Sequence, residues 1–160
     1  MSSQSGFNFV TNQSQSTRPN VKLWISIRSE VNAISPLVDR IMALIRKCRC
    51  VPRRQHEVEL ALREALANAV LHGNRQDTGK NIYVYCCVQF SGELSIIVKD
   101  EGTGFDHTRL PDPTDIENIK SPHGRGIYLM RALMDDVRFE QGGTEVHMRM
   151  RLSRRNRDRC

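Results

Sequence analysis

The sequence predicts an α/β chain: a two-layer sandwich in which a mixed, mostly antiparallel sheet carries helices on one face. Three observations predict it. Residues 55–74, QHEVELALREALANAVLHGN, set Val58, Ala61, Leu62, Ala65, Leu66 and Ala69 at the three-and-four spacing of an amphipathic helix with one apolar face. Five shorter segments alternate apolar and polar residues as strands do, and Ser91-Gly92 and Gly142-Gly143 join two pairs of them with the short turns of antiparallel hairpins. The order strand, helix, helix, two strands, long loop, helix, two strands then leaves the helices to cover one side of a sheet.

Residues 1–19 are rich in Ser, Gln, Asn and Thr and have little to bury, so they are expected as a disordered arm. Residues 21–27, VKLWISI, form the first strand, with Val21, Leu23, Ile25 and Ile27 on one side and Trp24 on the other, as a surface anchor or a contact between two copies. Residues 30–48 follow with helical spacing of Ile34, Leu37, Val38, Ile41, Met42, Leu44 and Ile45; Pro36 suits a first turn, with Ser35 as its cap. CVPRRQ breaks that helix and leads into the helix at 55–74.

The loop HGNRQDTGK precedes the hairpin of NIYVYCCVQF and ELSIIVKD, the second strand ending in Asp100 beside the long helix. Residues 105–123 contain three prolines, several carboxylates and no clear period. A loop of that length between two glycine turns is expected to be a lid. The third helix occupies about 125–134, and VRFEQ with TEVHMRMRL closes the sheet, Val146, Met148, Met150 and Leu152 alternating. The division is therefore an arm (1–19), one domain (20–152) and a basic tail (153–160).

The formal charge is +6, but residues 149–160 hold six Arg and one Asp, a net +5, leaving +1 for the other 148 residues. The body is nearly neutral, and no aromatics interleave the tail's arginines to stack bases, so no direct contact with nucleic acid is expected. No run of eighteen apolar residues or secretory leader is present, which predicts a cytoplasmic protein without a membrane span. The spacing of Cys48, Cys50, Cys86, Cys87 and Cys160 does not match a zinc site, and reduced thiols are expected.

Chemistry concentrates at three places. Glu64 and Asn68 stand one turn apart at the border of the apolar stripe. They are either a solvated rim or a pair of hard oxygen donors suited to Mg²⁺ and to handling a hydroxyl proton. Asp100 is followed by Glu101-Gly102-Thr103-Gly104, which leaves bare backbone and one acceptor facing a closely approaching ligand. Gly124-Arg125-Gly126 opens the third helix, where free N–H groups and the dipole end attract phosphate.

These three pieces, in this order and spacing over residues 21–152, resemble the ATP-binding boxes of the GHKL superfamily. With HGN after Asn68 and GRGIYLMRALMDDV after the lid, they look most like the anti-sigma-factor serine kinases of the RsbW and SpoIIAB type. The resemblance implies the Bergerat (GHKL) ATPase fold, ATP and Mg²⁺ as cofactors, Glu64 as general base and Asn68 as the Mg²⁺ ligand. It implies Asp100 as acceptor of the adenine amino group, Gly102 and Gly104 against base and sugar, and Gly124 and Gly126 as backbone donors to phosphate. Arg125 is either a phosphate partner or a surface arginine. Thr144 matches a threonine that helps Asp100 hold adenine through water, or is a plain strand residue. His72, one turn past Asn68, is either catalytic or structural.

The implied function is an ATP-dependent protein serine kinase that phosphorylates an anti-anti-sigma partner of the STAS type and sequesters a sigma factor, as a homodimer. A non-catalytic binding module whose partner affinity responds to ATP is the alternative, and a basic nucleic-acid binder is a distant third.

Overall fold

A computed structural model describes residues 20–49, 51–89, 92–105 and 125–151. The N-terminal arm, Cys50, Ser91, most of the expected lid, Gly124, Leu152 and the basic tail lie outside the described residues.

The elements run β1 (Val21–Arg28), a 3₁₀ turn (Val31–Ala33), α1 (Ile34–Lys47), α2 (Gln55–Asn68), a π turn (Ala69–Gly73), β2 (Asn81–Val88), β3 (Glu93–Asp100), α3 (Arg125–Leu133), β4 (Asp136–Glu140) and β5 (Glu145–Arg151). The sheet order is β1-β2-β3-β5-β4. Each of its pairings is antiparallel, so the antiparallel share of the expected mixed sheet is the whole of it.

Alternation decides which face is covered. Leu23, Ile25, Ile82, Val84, Cys86, Leu94, Ile96, Val98, Val146, Met148 and Met150 are buried on one side of the sheet. They share a core with Leu37, Val38, Ile41, Met42 and Ile45 of α1, Val58, Ala61, Leu62, Ala65 and Leu66 of α2, and Ile127 and Met130 of α3. Each fully buried Leu or Ile contributes about 1.5–3 kcal/mol relative to exposure. The other face carries Trp24, 54 % exposed, whose ring lies 5.9 Å from that of Tyr85. Cys48, Cys86 and Cys87 are free thiols.

Two local expectations are corrected. Ser35 does not cap α1. The 3₁₀ turn runs directly into the helix, so Ala33 takes the cap position in helical backbone and Ser35 falls inside the first turn with Pro36. The Ser35 hydroxyl instead accepts a hydrogen bond from Arg63 Nη1 at 3.2 Å.

The second correction concerns the helix expected over 55–74. It is α-helical only to Asn68 and then widens into the π turn, where Asn74 N donates to Ala69 O, five residues back, at 2.8 Å. Such widenings cost hydrogen-bond geometry and are found mostly where a site needs them.

The break at 49–54 also has a structural role. Arg54 pairs with Glu57, donates to Asp135 Oδ1 at 2.6 Å and donates to Leu133 O at 2.8 Å, while Asp135 Oδ2 accepts from Arg151 N at 2.7 Å. One guanidinium thus ties the start of α2 to the end of α3 and, through Asp135, to β5. Arg54 is a third exposed, so screening limits its worth. Arg54→Ala is expected to cost about 1 kcal/mol, lowering Tm by about 3 °C in thermal unfolding; an unchanged Tm would show that the tie contributes nothing.

Candidate nucleotide site

The α2 helix, the end of β3, the start of α3 and the β4–β5 turn converge on one cavity of about 400 Å³, whose wall includes Glu64, Asn68, His72, Gly73, Asp100, Gly104, Phe105, Gly126, Gly143 and Thr144. That volume lies within the usual range for small-ligand pockets. Residues far apart in sequence therefore meet, because α2 packs on β3 on one side and on α3 on the other.

Glu64 and Asn68 reach the cavity from the border of the buried stripe, both half-buried. Neither side chain makes a hydrogen bond or ion pair among the described residues, which leaves their oxygens available to a ligand. The first turn of α3 presses against them: a β-carbon at Gly126 would lie 2.7 Å from Glu64 Oε2 and 3.4 Å from Asn68 Nδ2. Arg125 is exposed and stands outside the cavity wall.

Asp100 is 8 % exposed. Its Oδ1 accepts from Gly102 N at 2.8 Å and its own N–H donates to Thr144 O at 2.9 Å. Burial raises its pKa, opposed by the Gly102 N–H and the charge of Lys80. Burying a carboxylate without a salt-bridge partner is unfavourable, and such groups cluster at functional sites.

Thr144 touches Asp100 through its backbone, while its hydroxyl donates to Gln141 O at 3.0 Å within the turn. Gly102 does not itself line the cavity; it backs onto Gly73, where a β-carbon would lie 2.6 Å from the Gly73 carbonyl carbon. Gly104 has φ +74°, and a β-carbon there would lie 2.9 Å from the Gly142 carbonyl carbon, so this turn excludes other residues on two counts. Phe105 N donates to Gly142 O at 3.0 Å, and the Phe105 and Phe139 rings meet edge to face at 5.5 Å as an apolar wall. His72 is exposed where it meets the cavity.

The residues missed by sequence reasoning are Gly73, Asn74 and Glu101. A β-carbon at Gly73 would lie 2.7 Å from Asp100 Oδ1. Asn74 joins the π turn to both β2 and β3. Glu101 accepts from Asn81 N and Tyr83 Oη, each at 2.8 Å, and these bonds lower its pKa. The HGN triplet after the helix was the available signal, but nothing local says that its glycine and asparagine face a strand 27 residues away.

The cavity wall holds two carboxylates and, among its described residues, no Lys or Arg. The chain is 33% identical over 99 residues to the serine-protein kinase RsbW of Bacillus subtilis, covering 58% of this chain and 61% of that one. It is 29% identical over 104 residues to an anti-sigma F factor of Oceanobacillus iheyensis, covering 61% and 70%. With the serine-protein kinase RsbW of Bacillus cereus it shares 31% over 89 residues, 52% of this chain and 54% of that protein. The matched region thus spans about three fifths of the B. subtilis relative and about half of the B. cereus one. The family model of the histidine kinase-like ATPase domain matches residues 27–150, from the end of β1 into β5 and including every residue of the cavity wall, and the chain belongs to that family.

Proposed function

We propose that the protein is an ATP- and Mg²⁺-dependent serine kinase that phosphorylates an anti-anti-sigma partner of the STAS type and holds a sigma factor inactive, acting as a homodimer through a domain over residues 20–152. The observation that carries the reading is the meeting of Glu64, Asn68 and Asp100 in one cavity, two of them with side-chain oxygens that no group among the described residues uses.

Asp100 accepts the exocyclic amino group of adenine, and the turn over Gly102 and Gly104 lets base and sugar lie close to bare backbone. Asn68 holds Mg²⁺ through its amide oxygen, a hard donor that suits this ion. The ion, when bound, would offset triphosphate charge beside a wall that holds two carboxylates and, among its described residues, no Lys or Arg. Gly124 and Gly126 offer backbone N–H groups to the phosphates, and Arg125, exposed beyond the cavity wall, offers its guanidinium to phosphate that extends past that wall. Glu64 takes the proton of the attacking serine hydroxyl, and the rigid helix beneath it fixes the geometry on which phosphoryl transfer depends. Thr144 supports Asp100 from the turn that leads into β5.

Similarity to proteins named serine-protein kinase and anti-sigma F factor supports the substrate class and the sigma-factor partner. No described helix is long and apolar enough to cross a membrane, consistent with action in the cytoplasm. The test is transfer of labelled phosphate from ATP·Mg²⁺ to a STAS-type partner encoded nearby. Transfer to a serine supports the reading. ATP that stays intact with every partner overturns the kinase and leaves a nucleotide-responsive binding switch.

The raised pKa of Asp100 gives a pH signature. An ionised carboxylate accepts the amino proton, so ATP affinity is expected to fall with acidification, beginning above the ordinary aspartate value of 3.8. In the free protein the sign is opposite: the acidic form is favoured by burial, so the stability contributed by Asp100 declines as pH rises through that window. Calorimetric titration with ATP at several pH values checks this, and Asp100→Asn should bind weakly without that pH dependence. An affinity that does not fall on acidification would remove Asp100 from base recognition.

A further inference from the structure

One buried polar side chain has no part in the chemistry above. Asn74 is 1 % exposed, one of three polar residues in the described core, with Ser29 and Asp100. Its Nδ2 donates to Asn81 O at 2.9 Å and its Oδ1 accepts from Glu101 N at 2.8 Å. Its backbone N–H closes the π turn on Ala69. One residue therefore connects the π turn that follows α2, through its main chain, with the first residue of β2 and the residue directly after Asp100, through its carboxamide.

The neighbouring contacts give that connection a direction. Gly73 packs against the Asp100 carboxylate on one side and under Gly102 on the other, too close in both places for a β-carbon. Gly102 N in turn holds Asp100 Oδ1. From outside, the Glu101 carboxylate is held by Asn81 N and Tyr83 Oη. The backbone at 101 is thus gripped from the core by Asn74 and from the surface by its own side chain. Removing the inner grip leaves the outer one and the strand pairing in place, while Asp100 loses the support that sets its depth.

We propose that Asn74 is a positioning residue for base selection: through Glu101 N and Gly73 it fixes the Asp100 carboxylate where a 6-amino purine can donate to it and a 6-oxo purine cannot. The inference rests on the nucleotide reading given above. A site that discriminates by one hydrogen bond depends on the placement of the acceptor, because the wrong base is rejected through unpaired polar groups. Loosening the acceptor lowers affinity for the right base and relaxes rejection of the wrong one.

The experiment measures ATP and GTP affinities, each with Mg²⁺, by calorimetry for the wild type, Asn74→Ala and Asn74→Asp, with Tm recorded for each. Asn74→Asp keeps the volume and the acceptor for Glu101 N but turns a second oxygen toward the Asn81 carbonyl, so it retains a packed core should the alanine variant fail to fold. Arg54→Ala, which lies outside the site, serves as a control for lost stability. Asn74→Ala is expected to lower ATP affinity about tenfold to a hundredfold and to reduce the ATP/GTP ratio by about the same factor, with Asn74→Asp intermediate. Arg54→Ala should keep the wild-type ratio. If the Asn74 variants lose both nucleotides equally, or keep the ratio, Asn74 is structural and this inference is overturned while the nucleotide site stands. If the wild type itself does not prefer ATP, the nucleotide reading and this inference fall together.

Discussion

Glu64→Gln is expected to slow phosphate transfer to the partner serine by about 10²–10⁴-fold, the usual contribution of a positioned general base, while ATP affinity changes by no more than a few-fold. The asymmetry follows from the geometry. Among the described residues the Glu64 side chain has no partner whose loss would disturb the fold, and the isosteric amide still fits beside Gly126. The charge and the proton acceptor disappear, and little else does. Single-turnover transfer with saturating ATP measures the effect directly. A variant that transfers at the wild-type rate would mean that the hydroxyl loses its proton elsewhere, with His72, also at the cavity wall, the next residue to test.

Gly102→Ala is expected to weaken nucleotide binding by at least about a hundredfold and to destabilise the fold by about 1–3 kcal/mol, the range for overpacking. The new methyl group would lie 2.6 Å from the Gly73 carbonyl carbon and 2.8 Å from Asp100 Oδ1. Its nearest obstacle is main chain, which a rotamer change cannot move aside. Relief requires separating the β3 end from the π turn, and that displaces Asp100. Calorimetry with ATP·Mg²⁺ and thermal unfolding read the two effects separately. Normal ATP affinity in this variant would show that the turn is freer than its packing implies.

The contrast between these two substitutions also marks what the sequence made legible. Glu64 and Asn68 could be paired from their spacing alone, because residues one turn apart share a border of the same helix whatever the tertiary fold. Alternation likewise gave the buried face of β5, and the short Ser91-Gly92 connection gave the hairpin of β2 with β3. The end of α2 was not legible: Ala69, Val70 and Leu71 continue the helical pattern past Asn68, and the widening there, where the π turn packs against β3, has no local signal. Ser35 has the chemistry of a cap but is overridden by the turn before it. Gly73 and Asn74 were invisible for a related reason. Their partners are Asp100, Glu101 and Asn81, and only the folded sheet brings those residues to them.

The strand order has a further consequence. β3 is third of five, paired with β2 on one side and β5 on the other, so the acceptor at its tip is borne by the part of the sheet that opens last. Amide protons of β3 should exchange with deuterium more slowly than those of the rim strands β1 and β4. A recognition group carried on so quiet a support arrives preorganised, and the ligand loses little of its binding free energy to ordering that end of its seat.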